Sequence, residues 1–164
     1  MSKHPTATQK PAVEFEPEFV TAFKELFDEK IVFNKLLGVR LTDVKPGWVS
    51  GQLPMKPDLI GTQEHRRLHG GVVSACLDAL GGVACVAAGA ARHMEEPPLH
   101  RLHRFGKLGT IDLRIDYLRP CVGEHFTMHA EVLRLGSRVA TTRMEFFAAD
   151  GTLLCVGAGA YIVS

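Results

Sequence analysis

Few of the features that announce a function class are present. Lys and Arg number 19 against 18 Asp and Glu, a net charge of +1 over 164 residues. That balance gives no general argument for nucleic acid or a membrane surface as a partner. The four cysteines, Cys76, Cys85, Cys121 and Cys155, include no CxxC pair. They read as buried, reduced thiols of a cytoplasmic protein. His65, His69, His93, His100 and His103 show no paired ligand spacing such as HExxH, so no metal site is expected. A glycine-rich dinucleotide fingerprint and a GxSxG nucleophile elbow are both missing, and no cofactor is expected. The first residues are polar and carry no hydrophobic run, so no secretory signal is read.

What the chain does have is apolar mass in one place. Hydrophobic residues make up 46% and charged residues 23%, enough to bury the core of one domain. From Val72 to Ala91 the only polar side chains are Ser74 and Asp78. A helix that is apolar all round is a buried helix, and this one opens on His69-Gly70-Gly71. Its length raises a transmembrane alternative. We reject it, because the stretch is mainly Ala, Gly and Val and a central Asp costs about 2.5–3.5 kcal/mol on the insertion scale. No membrane insertion is expected. Asp78 is then a carboxylate inside a protein core, costly unless paired or hydrogen-bonded, and it needs a reason.

The remaining pattern reads as α+β. Residues 1–16 are expected to form a flexible leader and 17–164 a single domain. Phe19, Phe23, Leu26 and Phe27 fall on one face of a helix over 17–30, with Pro17 in its first turn. Residues 31–38 read as a connector. Strands at 39–44 and 48–55 flank the turn Lys45-Pro46-Gly47. A long loop over 57–68 delivers the chain to the central helix, and a second loop over 92–108 leaves it. Four strands follow, at 109–119, 124–135, 138–148 and 152–163. The first carries Ile111, Leu113, Ile115 and Tyr117 on one face. Asp150-Gly151 is a strong hairpin signal before the last. No strand–helix–strand repeats occur, so the sheet is expected to be antiparallel and wrapped around the long central helix. That is a hotdog fold.

On these residues the chain resembles the hotdog thioesterases of the PaaI-like group, and within it the medium- and long-chain acyl-CoA thioesterase branch. The likeness is carried by His69-Gly70-Gly71 with Asp78 nine residues after the histidine. The strand ending Tyr117-Leu118-Arg119-Pro120 and the terminal strand ending Ala160-Tyr161 add to it. It covers about residues 30–164. The resemblance implies hydrolysis of acyl-CoA thioesters, a homodimer, and commonly a dimer of dimers. Some relatives carry an Asn before the His that helps place the water. This sequence has none there, and Gln63, six residues before His69, is the substitute.

Thioester hydrolysis needs a carboxylate to activate water or to attack, and fixed N–H donors for the oxyanion. Asp78 is the candidate base or nucleophile. The helix N-terminus offers free N–H groups, with Gly70, or Gly71, as the donor. His69 is expected to orient the carbonyl or to hold the loop. Ser74 is expected near the substrate, its hydroxyl bonded to a carbonyl of its own helix. Arg119, Arg101, Arg104, Lys107 and Arg138 are candidates for the phosphates of coenzyme A. Cys76, Leu77, Leu80 and the Phe-rich helix are expected to line an apolar acyl cleft. Along one helix, Gly70 and Asp78 lie roughly 12 Å apart at about 1.5 Å per residue, too far to serve one carbonyl. A dimer with two composite sites follows as the expectation. Two other readings compete: a non-catalytic acyl-CoA or acyl-carrier binding module, which would not need Asp78, and a hotdog dehydratase, which would place its catalytic His and acid differently. No helix-turn-helix domain is visible to make the binding module a DNA-linked sensor.

Overall fold

The computed structural model describes residues 13–104 and 106–164. Most of the expected leader lies outside the described residues. Its last two positions do not behave as a leader: Phe15 packs on Phe19 and Glu16 pairs with Arg101.

The first helix, α1 (Pro17–Glu25), starts at Pro17 and buries Phe19 and Phe23. It passes into a π-helical turn over Leu26–Lys30 that buries Phe27. Residues 31–38 are not a connector. They form α2 (Val32–Leu37), closed by Gly38 at φ 80°. This helix has six residues with apolar side chains on most sides, so it shows no polar–apolar period. Asn34 anchors it by donating to the Phe27 carbonyl at 3.1 Å.

Strands β1 (Arg40–Lys45) and β2 (Trp48–Pro54) form the expected hairpin. The stretch read as a loop over 57–68 holds two short 3₁₀ turns and a small pair, β3 (Ile60–Thr62) with β4 (Arg67–Leu68). The central helix α3 spans Gly70–Ala90. The loop after it contains α4 (Pro98–His103). Strands β5 (Gly109–Tyr117), β6 (His125–Leu135), β7 (Val139–Ala148) and β8 (Leu153–Ile162) complete the chain. The main sheet is antiparallel in the order β1-β2-β6-β7-β8-β5.

Helix α3 is long and apolar enough to cross a membrane, but it is seated on this sheet. Val73, Cys76, Leu77, Leu80 and Ala84 are fully buried, in one core cluster with Leu53, Met128, Phe126 and Phe146 of the sheet. Gly81 sets how closely the two layers approach. A Cβ there would collide with the Tyr161 hydroxyl and the Met144 sulfur, so a residue without a side chain is required.

The outer strand β5 departs from simple alternation. Its register against β8 slips between Thr110 and Asp112. Ile111 is displaced by this bulge and exposed, and Tyr117 is exposed as well. Only Leu113 and Ile115 of the expected apolar face join the core.

Candidate active site

The N-terminus of α3 is capped by an unusual residue. His69 Nδ1 accepts a hydrogen bond from the Gly71 N–H at 2.9 Å, the role a Ser or Asp oxygen commonly takes. An accepting Nδ1 carries no proton, so the neutral ring holds its hydrogen on Nε2. This arrangement corrects one expectation. The Gly71 N–H is committed to His69, whereas the Gly70 N–H has no hydrogen-bond partner among the described residues. The Gly70 carbonyl is fixed by the Tyr117 hydroxyl, which donates to it at 2.6 Å.

Two turns along, Asp78 is half-buried. Its Oδ1 accepts from Thr110 Oγ1 of β5 at 2.9 Å. No ion pair reaches it among the described residues, so the carboxylate is held by one neutral donor and keeps its other oxygen free. Its backbone carbonyl accepts from the Tyr161 hydroxyl at 3.1 Å. Burial, and then the charge of Asp78, push Tyr161 well above the ordinary tyrosine range. It therefore stays a neutral donor at physiological pH. α3 is continuous, so Gly70 and Asp78 remain about 12 Å apart along its axis.

A cavity of about 480 Å³ lies between α3 and the N-terminal helices. Phe23 and Phe27 form one wall and Ala79, Gly82 and Val83 the other, with Asp78 and Thr110 among its few polar members. The expected lining by Cys76, Leu77 and Leu80 is wrong. Those side chains point into the sheet and are fully buried. Burial pushes the Cys76 and Cys85 thiols up to about 12, so neither offers a thiolate nucleophile at neutral pH. Ser74 does line the cavity, and its hydroxyl donates to the Gly71 carbonyl at 3.0 Å.

The other candidates divide. Gln63 sits in an exposed 3₁₀ turn, outside the cavity that holds Asp78. Arg101 is unavailable to a ligand: it is fully buried, bonded to Glu16 at 2.6 Å and stacked 4.7 Å over the Phe19 ring. Arg104 is paired with Glu96. That pairing also occupies the one cluster among the described residues, His93, Glu95 and Glu96, whose ligand atoms converge. Arg119 donates to the Leu153 carbonyl at 2.9 Å. Lys107 and Arg138 are exposed.

Sequence reasoning missed Thr110 and the two tyrosine hydroxyls as parts of the site. Thr110 stood on the polar side of its strand, and only the strand order brings it to Asp78.

The family model of the thioesterase superfamily matches residues 65–155, a span that contains both Gly70 and Asp78. The chain belongs to this superfamily. It is 33% identical over 139 residues to the medium/long-chain acyl-CoA thioesterase YigI of Escherichia coli, covering 85% of this chain and 90% of that protein. A crystal structure from Shewanella oneidensis, described as related to the thioesterase superfamily, is 36% identical. It superposes with a TM-score of 0.80 over 92% of this chain and 100% of its own. The PaaI protein of E. coli shares the fold, with a TM-score of 0.71 at 16% identity over 90% of this chain and 94% of its own. Thioesterase-superfamily membership and the hotdog architecture therefore agree with the sequence reading.

Proposed function

We propose that this protein hydrolyses medium- to long-chain acyl-CoA thioesters at a site shared by two subunits. The observation that carries the proposal is the double contact made by β5. Near its start, Thr110 holds Asp78; at its end, Tyr117 holds the Gly70 turn. β5 is also one of the two edge strands of the sheet. Pairing two such edges antiparallel about a two-fold axis brings the start of one strand beside the end of the other. Asp78 of one subunit then faces Gly70 of the partner subunit, which removes the 12 Å obstacle. The name of the YigI relative supports the choice of substrate.

At such a site the thioester carbonyl accepts a hydrogen bond from the free Gly70 N–H, reinforced by the positive end of α3. The Nε2–H of His69 is a second donor of the same turn. The free oxygen of Asp78 takes a proton from water as the water attacks, or attacks the carbonyl itself. Collapse of the tetrahedral adduct breaks the C–S bond and the thiolate leaves with little acid assistance; where Asp78 has attacked, water then hydrolyses the mixed anhydride to release the acid and restore the carboxylate. Lys107, Arg119 and Arg138 remain exposed cations suited to the phosphates of the leaving group.

Thiol release from a series of acyl-CoA esters tests the proposal. Asp78→Asn and Asp78→Ala should lower kcat by about 10²–10⁴ in protein that stays folded. Unchanged turnover in both removes Asp78 from the mechanism. No release from any ester by folded wild-type protein leaves acyl-CoA binding without catalysis. Sedimentation should give a dimer, and a fully active monomer would refute the shared site. A single turnover in ¹⁸O-labelled water tests the two routes: label appearing in the Asp78 carboxylate marks attack by Asp78, whereas label confined to the released acid is expected if Asp78 acts as base.

A further inference from the structure

The cavity beside Asp78 is open on one side and closed on the other. Ile31 and Phe33 line it at 43% and 55% exposure, while Phe23 and Phe27 line it at 1% and Val86 at 9%. The closed side lies toward the C-terminal half of α3. Phe19 of α1 packs on Arg101 of α4, beyond the end of α3, whereas Leu36 and Leu37 of α2 share a second cavity with His69 at its start. The N-terminal helices therefore run antiparallel to α3, with α2 toward its start and α1 toward α4. Past Asp78, α3 presents Ala79, Gly82, Val83 and Val86 to the cleft. Two polar groups nearby are engaged: Asn34 Nδ2 donates to the Phe27 carbonyl, and the Tyr161 hydroxyl donates to the Asp78 carbonyl. An apolar chain can lie there without breaking either of these bonds.

The length of this path can be counted. Asp78 and Val86 are eight residues apart, about 12 Å along the axis at roughly 1.5 Å per residue. With C–C bonds of about 1.5 Å and angles near about 111°, an extended alkyl chain advances roughly 1.25 Å per carbon. We propose that the cleft is a length ruler: it takes an unbranched acyl chain of about ten carbons from the carbonyl at Asp78, and Val86 with Phe23 forms the stop. This rests on the reading of the site as an acyl-CoA thioesterase. Every methylene up to the stop is transferred from water to an apolar wall, and methylenes beyond it are not.

The test measures kcat/KM on saturated acyl-CoA esters from C4 to C16, for the wild type and for substitutions at increasing distance from Asp78. In the wild type, kcat/KM should rise about fourfold per carbon, the equivalent of about 0.8 kcal/mol per methylene, and stop rising near C10. Val86→Phe should move the end of the rise to about C8. Val83→Phe, five residues from Asp78, should move it to about C6. Val86→Ala, which adds no bulk, should move it beyond C10 and carries the test if the larger side chains disturb folding. A profile that keeps climbing from C10 to C16, or one that stays in place in all three variants while thiol release continues, overturns the ruler and leaves the thioesterase reading standing. Absence of thiol release from every ester overturns both.

Discussion

The two faces of α3 are built to opposite rules. The face toward the sheet carries Val73, Cys76, Leu77, Leu80 and Ala84, all without solvent exposure. The face toward the N-terminal helices carries Ser74, Ala75, Asp78, Ala79 and Val83, all only partly buried. The first face fills space with branched side chains, which is what a close-packed interior rewards. The second leaves space and places one carboxylate at its edge. A helix apolar all round was explained above as buried all round. The comparison shows that half of that apolar character serves the core and half lines a cleft.

Damage to the sheet face should therefore appear as lost stability and damage to the cleft face as lost rate. Leu77→Ala gives the largest expected effect on stability. It leaves a cavity in the core and should cost about 2–5 kcal/mol by denaturant unfolding, with turnover per folded molecule unchanged. A loss of turnover in folded Leu77→Ala would mean that the two faces are not separable.

Thr110→Val is the complementary case. Valine keeps the shape of the side chain and removes the donor to Asp78. A hydrogen bond to a charged group contributes about 1.5–3 kcal/mol, so kcat should fall by about ten- to a hundredfold. The unfolding midpoint should barely move, because Thr110 is exposed on an edge strand. A large loss of stability with full activity would make Thr110 a structural residue only.

What was legible in the sequence follows the same division. The antiparallel sheet and the buried helix were readable because Leu, Val and Phe recur at periods that one face of an element imposes. Asp78 and Gly70 stood out as local anomalies of charge and flexibility. Thr110 and Tyr117 could not be read, because their partners come from strand order and register, 32 and 47 residues away. The choice of Leu77 and Leu80 as cleft residues failed for a related reason. Apolar character says that a side chain is covered and is silent on what covers it. Arg101 failed oppositely: a basic side chain in a polar loop read as a ligand contact, yet its guanidinium is consumed by Glu16 and Phe19.

That Arg101–Glu16 contact yields the smallest expected effect, and it acts on the cleft side alone by holding α1 in place. The hydrogen bond from Arg101, and its charge, keep the Glu16 carboxyl below the usual glutamate range. A carboxyl lowered in the folded state adds stability that is complete above its unfolded pKa and is lost as pH falls through its folded value. The Glu16 side chain is 44% exposed, so solvent screening reduces the contribution to about 1 kcal/mol. Glu16→Gln should therefore be less stable than wild type at pH 7 by about that amount. The two unfolding curves should converge as the pH drops below about 4, under the ordinary glutamate pKa. At neutral pH the loosened α1 should also blunt the rise of kcat/KM with acyl length, since Phe23 sits one turn from Phe19 on the same helix. Stabilities that stay parallel down to pH 3 would show that Glu16 does not hold the cleft wall.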